Sequence, residues 1–363
     1  QNSQWNSHHK KICKTCNQWQ TSSSFQALSA HQKMDATLLS HMLSTFLLSP
    51  GGYLAKSGNI VSQVLSLLPF QEDPSVLSAL CPIKPGPPKD LVVDLHARFG
   101  NNNFAVHSHL TTIGHGVFPA ASRVFNHSCV PNAAAKYVLD STSLPSMQVV
   151  ALTDIRPGEE ICIPYVDPAL LETRQQIFRF SYGFQCSCTS CQFLGNIGPI
   201  PKAPTDTNKI NSLATQLCDF MGIDFTSDIS SPPKSLDTLP RELYPVLNET
   251  FIQTISERFS KASHEGEFQS AQSSGKTLLA LYALIYPPNY PQIGMHLLEM
   301  SKSTWNHIIA SGQLPASVSA SLEEETRILL ATASRILNVY GAEGDQEWGP
   351  LREISTLQSL LDA

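Results

Sequence analysis

Two short stretches decide the fold of this chain: Asn126-His127-Ser128-Cys129-Val130-Pro131-Asn132 and, downstream, Phe184-x-Cys186-x-Cys188-x-x-Cys191. The second stretch places three cysteines within six residues, and the small polar residues between them allow a tight turn. Structural zinc sites use four Cys or His ligands in a tetrahedron. Three thiols therefore form an incomplete site, which Cys129 in the first stretch would complete. The alternative is that the three are unrelated buried or disulfide-bonded cysteines.

Composition and charge narrow the class of protein. A chain of 363 residues can form about two or three domains. Its 30 acidic and 24 basic residues give a net charge of −6, which argues against direct nucleic-acid binding through bulk electrostatics. The apolar run at 38–48 is interrupted by Ser and His and is shorter than the roughly 18 residues of a membrane span.

The cysteine content indicates the cellular compartment in which the protein is expected. The chain has nine cysteines and shows no signal-peptide pattern. We therefore expect a protein of the nucleus, the cytoplasm or both, without membrane contact. Thiols are normally reduced there, so clustered cysteines are better interpreted as metal ligands than as disulfides.

Periodicity divides the chain into helical and strand-rich regions. Apolar residues at 38–47 recur at spacings of three and four, which predicts a helix. The pattern at 104–166 is typical of short strands, and two of them, at 147–155 and 159–166, flank a Pro-Gly turn at 156–158.

The C-terminal third is predicted to be helical. A capping box, Ser321-x-x-Glu324, predicts a helix start, and Gly341 its end. The apolar stripe between them consists of Leu329, Ala333, Ile336 and Tyr340. Several helices joined by short loops suggest an array of the tetratricopeptide (TPR) kind, although the chain shows no clear repeat of about 34 residues.

The order and spacing of the motifs across residues 102–191 resemble the SET-domain protein-lysine methyltransferases that carry a MYND zinc finger. The resemblance implies an α+β protein with a β-rich SET core, a helical insertion, a zinc-bound post-SET turn and an all-α, TPR-like C-terminal domain. The implied domains are a C-terminal remnant of the MYND finger (1–16), the helical insertion region (17–101), the SET core with the post-SET zinc turn (102–191), a linker (192–240) and the helical C-terminal domain (241–363).

The same resemblance implies the metal ligands. Cys129 would join Cys186, Cys188 and Cys191 around one zinc ion, because the family uses the cysteine that ends its Asn-His-Ser-Cys motif. A second set, Trp5-x-x-x-His9-x-x-x-Cys13, resembles the end of a MYND finger, so His9 and Cys13 are also candidate ligands. The upstream ligands of that finger are not in the chain, and Cys13-x-x-Cys16 could instead be a coincidental pair.

The resemblance further implies an S-adenosylmethionine-dependent protein-lysine N-methyltransferase. The stretch Glu159-Glu160-Ile161-x-Ile163-x-Tyr165 resembles the family strand that ends in the catalytic tyrosine, so Tyr165 is the predicted catalytic residue. The substrate would be a lysine side chain of a protein, with histones among the candidates. The residues that match the family's cofactor contacts are Asn102, Asn126, His127, Tyr165 and Phe184, and Arg174 and Tyr182 match scaffold positions.

Each of these residues has an ordinary alternative. A lone tyrosine on a strand is more often a packing residue, and Asn126 with His127 could form a turn around a core histidine. In the family, a Gly-x-Gly strand precedes the finger, whereas this chain begins inside it. We therefore expect a fragment or a shortened gene product. The alternative function is a non-catalytic, zinc-containing interaction module that binds partner proteins through its helical domain.

Overall fold

The structure is a computed structural model that describes residues 10–48, 60–70, 73–83, 86–139, 145–223, 234–312, 314–343 and 348–362. The chain forms two compact units. The first comprises Gln1–His107, Thr111–Phe125 and Ile177–Phe184, and the second comprises Ser108–Leu110, Asn126–Gln176 and Gln185–Ala363. Helices predominate and strands are few, which is compatible with the predicted α+β class.

The first unit is built around one long helix. Its helices are α1 (Lys10–Gln20), α2 (Ser23–Gln26), α3 (Ala30–Leu48), α4 (Ile60–Leu65), α5 (Pro74–Ser78), α6 (Lys89–His96) and α7 (Pro119–Val124). Strands β1 (Asn103–Ser108) and β2 (Thr111–Val117) pair with each other. Leu39 and Leu43, one turn apart on α3, are fully buried, and α3 packs on α5 and α6. The indole of Trp19 on α1 donates a 2.6 Å hydrogen bond to the carbonyl of Ala79, which follows α5.

The second unit contains very short strands. Strand β3 (Asn126–His127) pairs in parallel with β6 (Cys162–Ile163), so that Asn126 lies opposite Cys162 and His127 opposite Ile163. Strand β4 (Ala133–Val138) is antiparallel to β5 (Ser146–Ala151). Residues 174–197 contain α8 (Arg174–Ile177), a π-helical turn (Phe178–Tyr182) that belongs to the first unit, and α9 (Thr189–Ile197).

The bounds predicted for the two strands that flank the Pro-Gly turn, 147–155 and 159–166, were wrong. Strand β5 ends at Ala151 and pairs with β4, whereas the second predicted strand is reduced to the two residues of β6 and pairs with β3. Tyr165 therefore lies beyond the strand end. The pairing ends there because the Tyr165 N–H, the next one directed toward β3, donates to the His127 side chain instead of a backbone carbonyl.

The remaining helices of the second unit pack consecutively. They are α10 (Thr207–Met221), α11 (Glu249–Glu265), α12 (Phe268–Ile285), α13 (Pro291–Ser311), α14 (Ala316–Asn338) and α15 (Pro350–Leu361), with 3₁₀ turns at Leu236–Thr238 and Arg241–Leu247. From α11 onward each helix packs on the next, and Leu279, Leu297 and Leu329 are fully buried. Within the described ranges, no helix is both long and apolar enough to cross a membrane.

The predicted start of α14 was also wrong. The helix begins at Ala316, five residues before the predicted capping serine, with Pro315 at the N-cap position. Ser321 and Glu324 are exposed positions inside the helix, so their spacing is that of a solvent-facing surface. The helix ends at Asn338, and Gly341, with φ +70°, lies just beyond it.

The close approach of α13 to α14 gives a stability prediction. A Cβ atom on Gly294 would lie 2.7 Å from Leu337 Cγ. We expect Gly294→Ala to lower the free energy of unfolding by about 1–3 kcal/mol, because the added methyl group overpacks the contact. Gly195→Ala on α9, where no atom lies within 4 Å, is the matched control. It should be neutral or stabilise by up to about 1 kcal/mol. Urea unfolding measures both, and equal stability of the two variants would contradict the close contact.

Candidate metal centre and the tyrosine beside it

Four cysteine sulfurs converge in the second unit. The Sγ atoms of Cys129, Cys186, Cys188 and Cys191 all lie within 4.8 Å of one another. The sulfur of Cys129 is 3.5 Å from that of Cys191 and 3.9 Å from that of Cys186. A tetrahedral zinc ion with Zn–S bonds of about 2.3 Å places its sulfurs about 3.8 Å apart. The donor set and its spacing therefore fit zinc, and thiolate ligands favour that ion.

The turn that carries three of these cysteines is held by one glutamine. The Gln175 side chain donates a 2.7 Å hydrogen bond to the carbonyl of Cys186 and accepts one of 3.2 Å from its N–H group. Cys188 occupies the N-cap position of α9, and Cys191 lies in its first turn. The positive end of a helix stabilises thiolates, so this placement favours the form of cysteine that binds metal.

Hydrogen bonds within the cluster shift the pKa values of its thiols in different directions. Bonding to the Cys129 thiol lowers the pKa of Cys186, and it lowers the pKa of Cys188 to about 5. The same bonds raise the pKa of Cys129, which holds the shared proton, and the positive charge of Arg174 opposes that rise. Part of the cluster is therefore thiolate at neutral pH.

Arg174 is fully buried beside this cluster. Its guanidinium group donates 2.7 Å hydrogen bonds to the carbonyl of Pro168 and to the hydroxyl of Ser190. A zinc ion with four thiolates carries a net negative charge, which a buried cation offsets. Arg174 would therefore offset the charge of a zinc–thiolate site, in addition to holding the backbone and Ser190 by hydrogen bonds.

Tyr165 is held against the Asn-His-Ser-Cys stretch. Its backbone N–H donates a 3.0 Å hydrogen bond to Nδ1 of His127, and the two ring centroids are 5.3 Å apart. Nε2 of His127 lies 3.2 Å from the sulfur of Cys129. Burial raises the pKa of the half-buried Tyr165, so its hydroxyl group is neutral near pH 7. The cysteine cluster, His127 and Tyr165 therefore form one continuous chain of contacts.

Two residues that sequence reasoning did not select also organise this site. The Asn132 side chain donates to the carbonyl of Glu160 at 2.9 Å and accepts from the N–H of Cys162 at 2.9 Å, which joins the two stretches. The other is Gln175. Asn132 ends the first motif, so its position in the sequence was a usable signal, whereas nothing in the sequence marked Gln175.

The other predicted site residues fall in different places. Asn126 is exposed, and its amide donates a 2.7 Å hydrogen bond to Glu160 Oε1. Asn102 and Phe184 belong to the first unit. The Asn102 amide nitrogen donates to the carbonyls of Leu68 and Arg98, at 3.1 and 2.9 Å.

The remaining predicted site residues are Phe184 and the candidate ligands of the MYND finger. Phe184 stacks on Phe178 with ring centroids 5.1 Å apart. Cys13 lies on α1 and belongs to no cluster of potential metal ligands in the part of the chain that the structure describes. His9 lies outside the described residues.

Comparison with known proteins agrees with this site. The sequence profile of the SET domain matches residues 5–166. The chain is 45% identical over 82 residues to protein-lysine N-trimethyltransferase SMYD5 of Mus musculus, covering 22% of this chain and 19% of that protein. It is 32% identical over 219 residues to histone-lysine N-methyltransferase SMYD3 of Homo sapiens, covering 60% of this chain and 50% of that protein.

The chain contains a region that matches the SET domain, and it is similar in sequence to SMYD proteins. It is also 34% identical over 107 residues to N-lysine methyltransferase SMYD2 of Homo sapiens, covering 29% of this chain and 23% of that protein. These alignments span half or less of the length of each curated relative. Cys129 lies within the matched SET region, whereas the other three cysteines of the cluster lie beyond its C-terminal end.

The metal centre leads to a second prediction. We expect Cys186→Ser to reduce the zinc content from about one ion per chain to near zero, because a structural site needs all four ligands. Elemental analysis by mass spectrometry of protein expressed with added zinc measures this content. The control is Cys218→Ser on α10, a half-buried thiol whose contact is the Thr277 hydroxyl at 3.8 Å, and it should keep its zinc. Full zinc content in Cys186→Ser would contradict the site.

Proposed function

We propose that this protein is an S-adenosylmethionine-dependent protein-lysine N-methyltransferase in which Tyr165 lines the reaction site. The observation that carries the proposal is the contact of Tyr165 with His127 beside the cysteine cluster, in a chain with a SET domain. The names of the relatives, all protein-lysine methyltransferases, support the same activity.

The chemistry assigns Tyr165 a modest electrostatic task. A lysine amine must be neutral to attack a methyl group, and removing its proton at pH 7.4 costs about 4 kcal/mol, given a reference pKa of about 10.4. A buried, apolar channel lowers that cost because it disfavours the ammonium form. The neutral Tyr165 hydroxyl can accept a hydrogen bond there without adding a charge, and it helps to align the amine with the methyl group.

Several residues fit the cofactor's chemistry. Because the Asn126 nitrogen donates to Glu160, its exposed oxygen is left as an acceptor suited to an ammonium group. Phe184 and Asn102, which belong to the first unit, stay predicted cofactor contacts. His127 would contribute through its backbone, since both ring nitrogens have protein partners. When bound, S-adenosylmethionine supplies an electrophilic methyl group on its sulfonium.

The finer features of the fold belong to the same proposal. We assign a structural zinc ion to the four cysteines and a TPR-like arrangement to the consecutively packed helices α11 to α15. That array would present a surface to the substrate protein, with histones among the candidates, in the nucleus, the cytoplasm or both. The predicted domain boundaries and the remnant of the MYND finger are retained as part of this proposal.

Removal of one hydroxyl group tests the role of Tyr165. In Tyr165→Phe we expect methyl transfer to protein lysine to fall about 100-fold or more, because an interaction made at the reacting centre is lost. S-adenosylmethionine affinity, measured by isothermal titration calorimetry, should change by less than about threefold. Tyr244→Phe is the matched control, because that half-buried ring packs against Phe193 and should keep full activity.

Two results would contradict the proposal. Unaltered turnover in Tyr165→Phe would remove the tyrosine from the reaction. If the wild-type protein does not bind S-adenosylmethionine even at millimolar concentration, the function is instead that of a non-catalytic, zinc-containing interaction module.

A further inference from the structure

We propose that His127 is a positioning residue that transmits the placement of the metal centre to Tyr165 through its imidazole ring. The inference rests on the proposed function for the importance of Tyr165, but the role of the ring itself can be measured without turnover. It differs from a role in cofactor binding, because both ring nitrogens are engaged by the protein.

The hydrogen bonds define the tautomer of the ring. A backbone N–H can only donate, so Nδ1 of His127 must accept from Tyr165 at 3.0 Å and carries no proton. In the neutral ring the proton therefore lies on Nε2, which is 3.2 Å from the Cys129 sulfur. The Nε2–H group donates to that sulfur. One ring thus links a metal ligand to the backbone of the tyrosine.

The backbone around the ring explains why this link matters. Strands β3 and β6 are each only two residues long, and the N–H of Ser128 donates to the Ile163 carbonyl at 3.2 Å. In a parallel pair alternate residues direct their N–H groups toward the partner strand, so the next such group after Ile163 is that of Tyr165. The next hydrogen bond from the β6 side comes from the N–H of Tyr165, and its acceptor is the His127 side chain. The imidazole therefore continues the pairing after the strands end.

The hydrogen bond from Nε2–H to the Cys129 sulfur also affects the metal centre. A hydrogen bond to a zinc-bound thiolate withdraws charge from the sulfur and fixes its orientation, and such outer contacts typically change metal affinity about 10- to 100-fold. A shift of the Cys129 sulfur moves the ring, and the ring moves the Tyr165 backbone. Zinc occupancy and tyrosine position are therefore coupled through a single side chain.

Two isosteric substitutions separate the two bonds. In His127→Asn the amide oxygen lies near the position of Nδ1, so the variant keeps the acceptor for Tyr165 and loses the donor to Cys129. In His127→Gln the amide nitrogen reaches the position of Nε2, so the donor to sulfur stays and the acceptor is lost. Each variant is the control for the other.

The wild-type protein provides the first measurement. In zinc-loaded protein with ¹⁵N-labelled histidine, we expect the NMR spectrum of His127 to show a proton on Nε2 and an unprotonated Nδ1. A proton on Nδ1 would overturn the proposal. This measurement needs no variant, so it decides the question even if a substituted protein fails to fold.

The variants provide the second measurement on cadmium-loaded protein. For His127→Asn we expect a displaced ¹¹³Cd resonance and hydrogen exchange of the Tyr165 amide within about twofold of wild type. For His127→Gln we expect an unchanged ¹¹³Cd resonance and exchange of that amide about tenfold faster, the effect of one lost hydrogen bond. Its kcat should fall, with S-adenosylmethionine affinity retained.

The outcomes separate the two proposals. If both variants change both readouts alike, His127 only fills space and the coupling is refuted. If the spectra behave as expected but the wild-type protein transfers no methyl group, the proposed function fails and the positioning role of His127 stands.

Discussion

Convergence of one distant thiol on a compact cysteine turn is the constraint on which the second unit depends. Cys129 lies 57 residues before Cys186 in the chain, and their sulfurs are 3.9 Å apart. Strands β3 and β6 contribute two residues each and cannot hold such a junction alone. The zinc ion that we propose for this site would compensate for so little backbone pairing, because structural zinc supplies on the order of 10 kcal/mol of apparent folding free energy in small metal-dependent units.

Polar side chains make hydrogen bonds to the backbone that strand pairing would make in a larger sheet. Asn132 and Gln175 bind backbone groups of neighbouring segments, as described above. The loop after Tyr165 is fixed in the same manner, because Glu172 accepts hydrogen bonds from the side chain of Asn248 and the backbone of Glu249 at the start of α11. Side-chain amides and carboxylates therefore set the path of the chain between the short strands.

The sequence predicted the chemistry of the site better than its local structure. Cysteine spacing, with the family resemblance for Cys129, selected the four cysteines that the structure brings together, because ligand type and number restrict zinc sites strongly. Strand lengths were overestimated, because the sequence pattern does not reveal that the Tyr165 N–H donates to a histidine side chain instead of a partner strand. The capping pattern at Ser321 also occurs by chance on an exposed helix face. Gln175 could not be found, because its role exists only after the turn has folded.

The π-helical turn Phe178–Tyr182 makes this part of the chain intolerant of length variation. Such a turn accommodates one extra residue in a helix, and it ends at Gly183 with φ +73°. Deletion of one residue would restore regular α geometry and rotate the following side chains by about 100° around the helix axis. The aromatic trio of Phe178, Tyr182 and Phe184, with centroids 5.1 to 6.3 Å apart, could then no longer assemble. Related chains should therefore keep the number of residues in this segment.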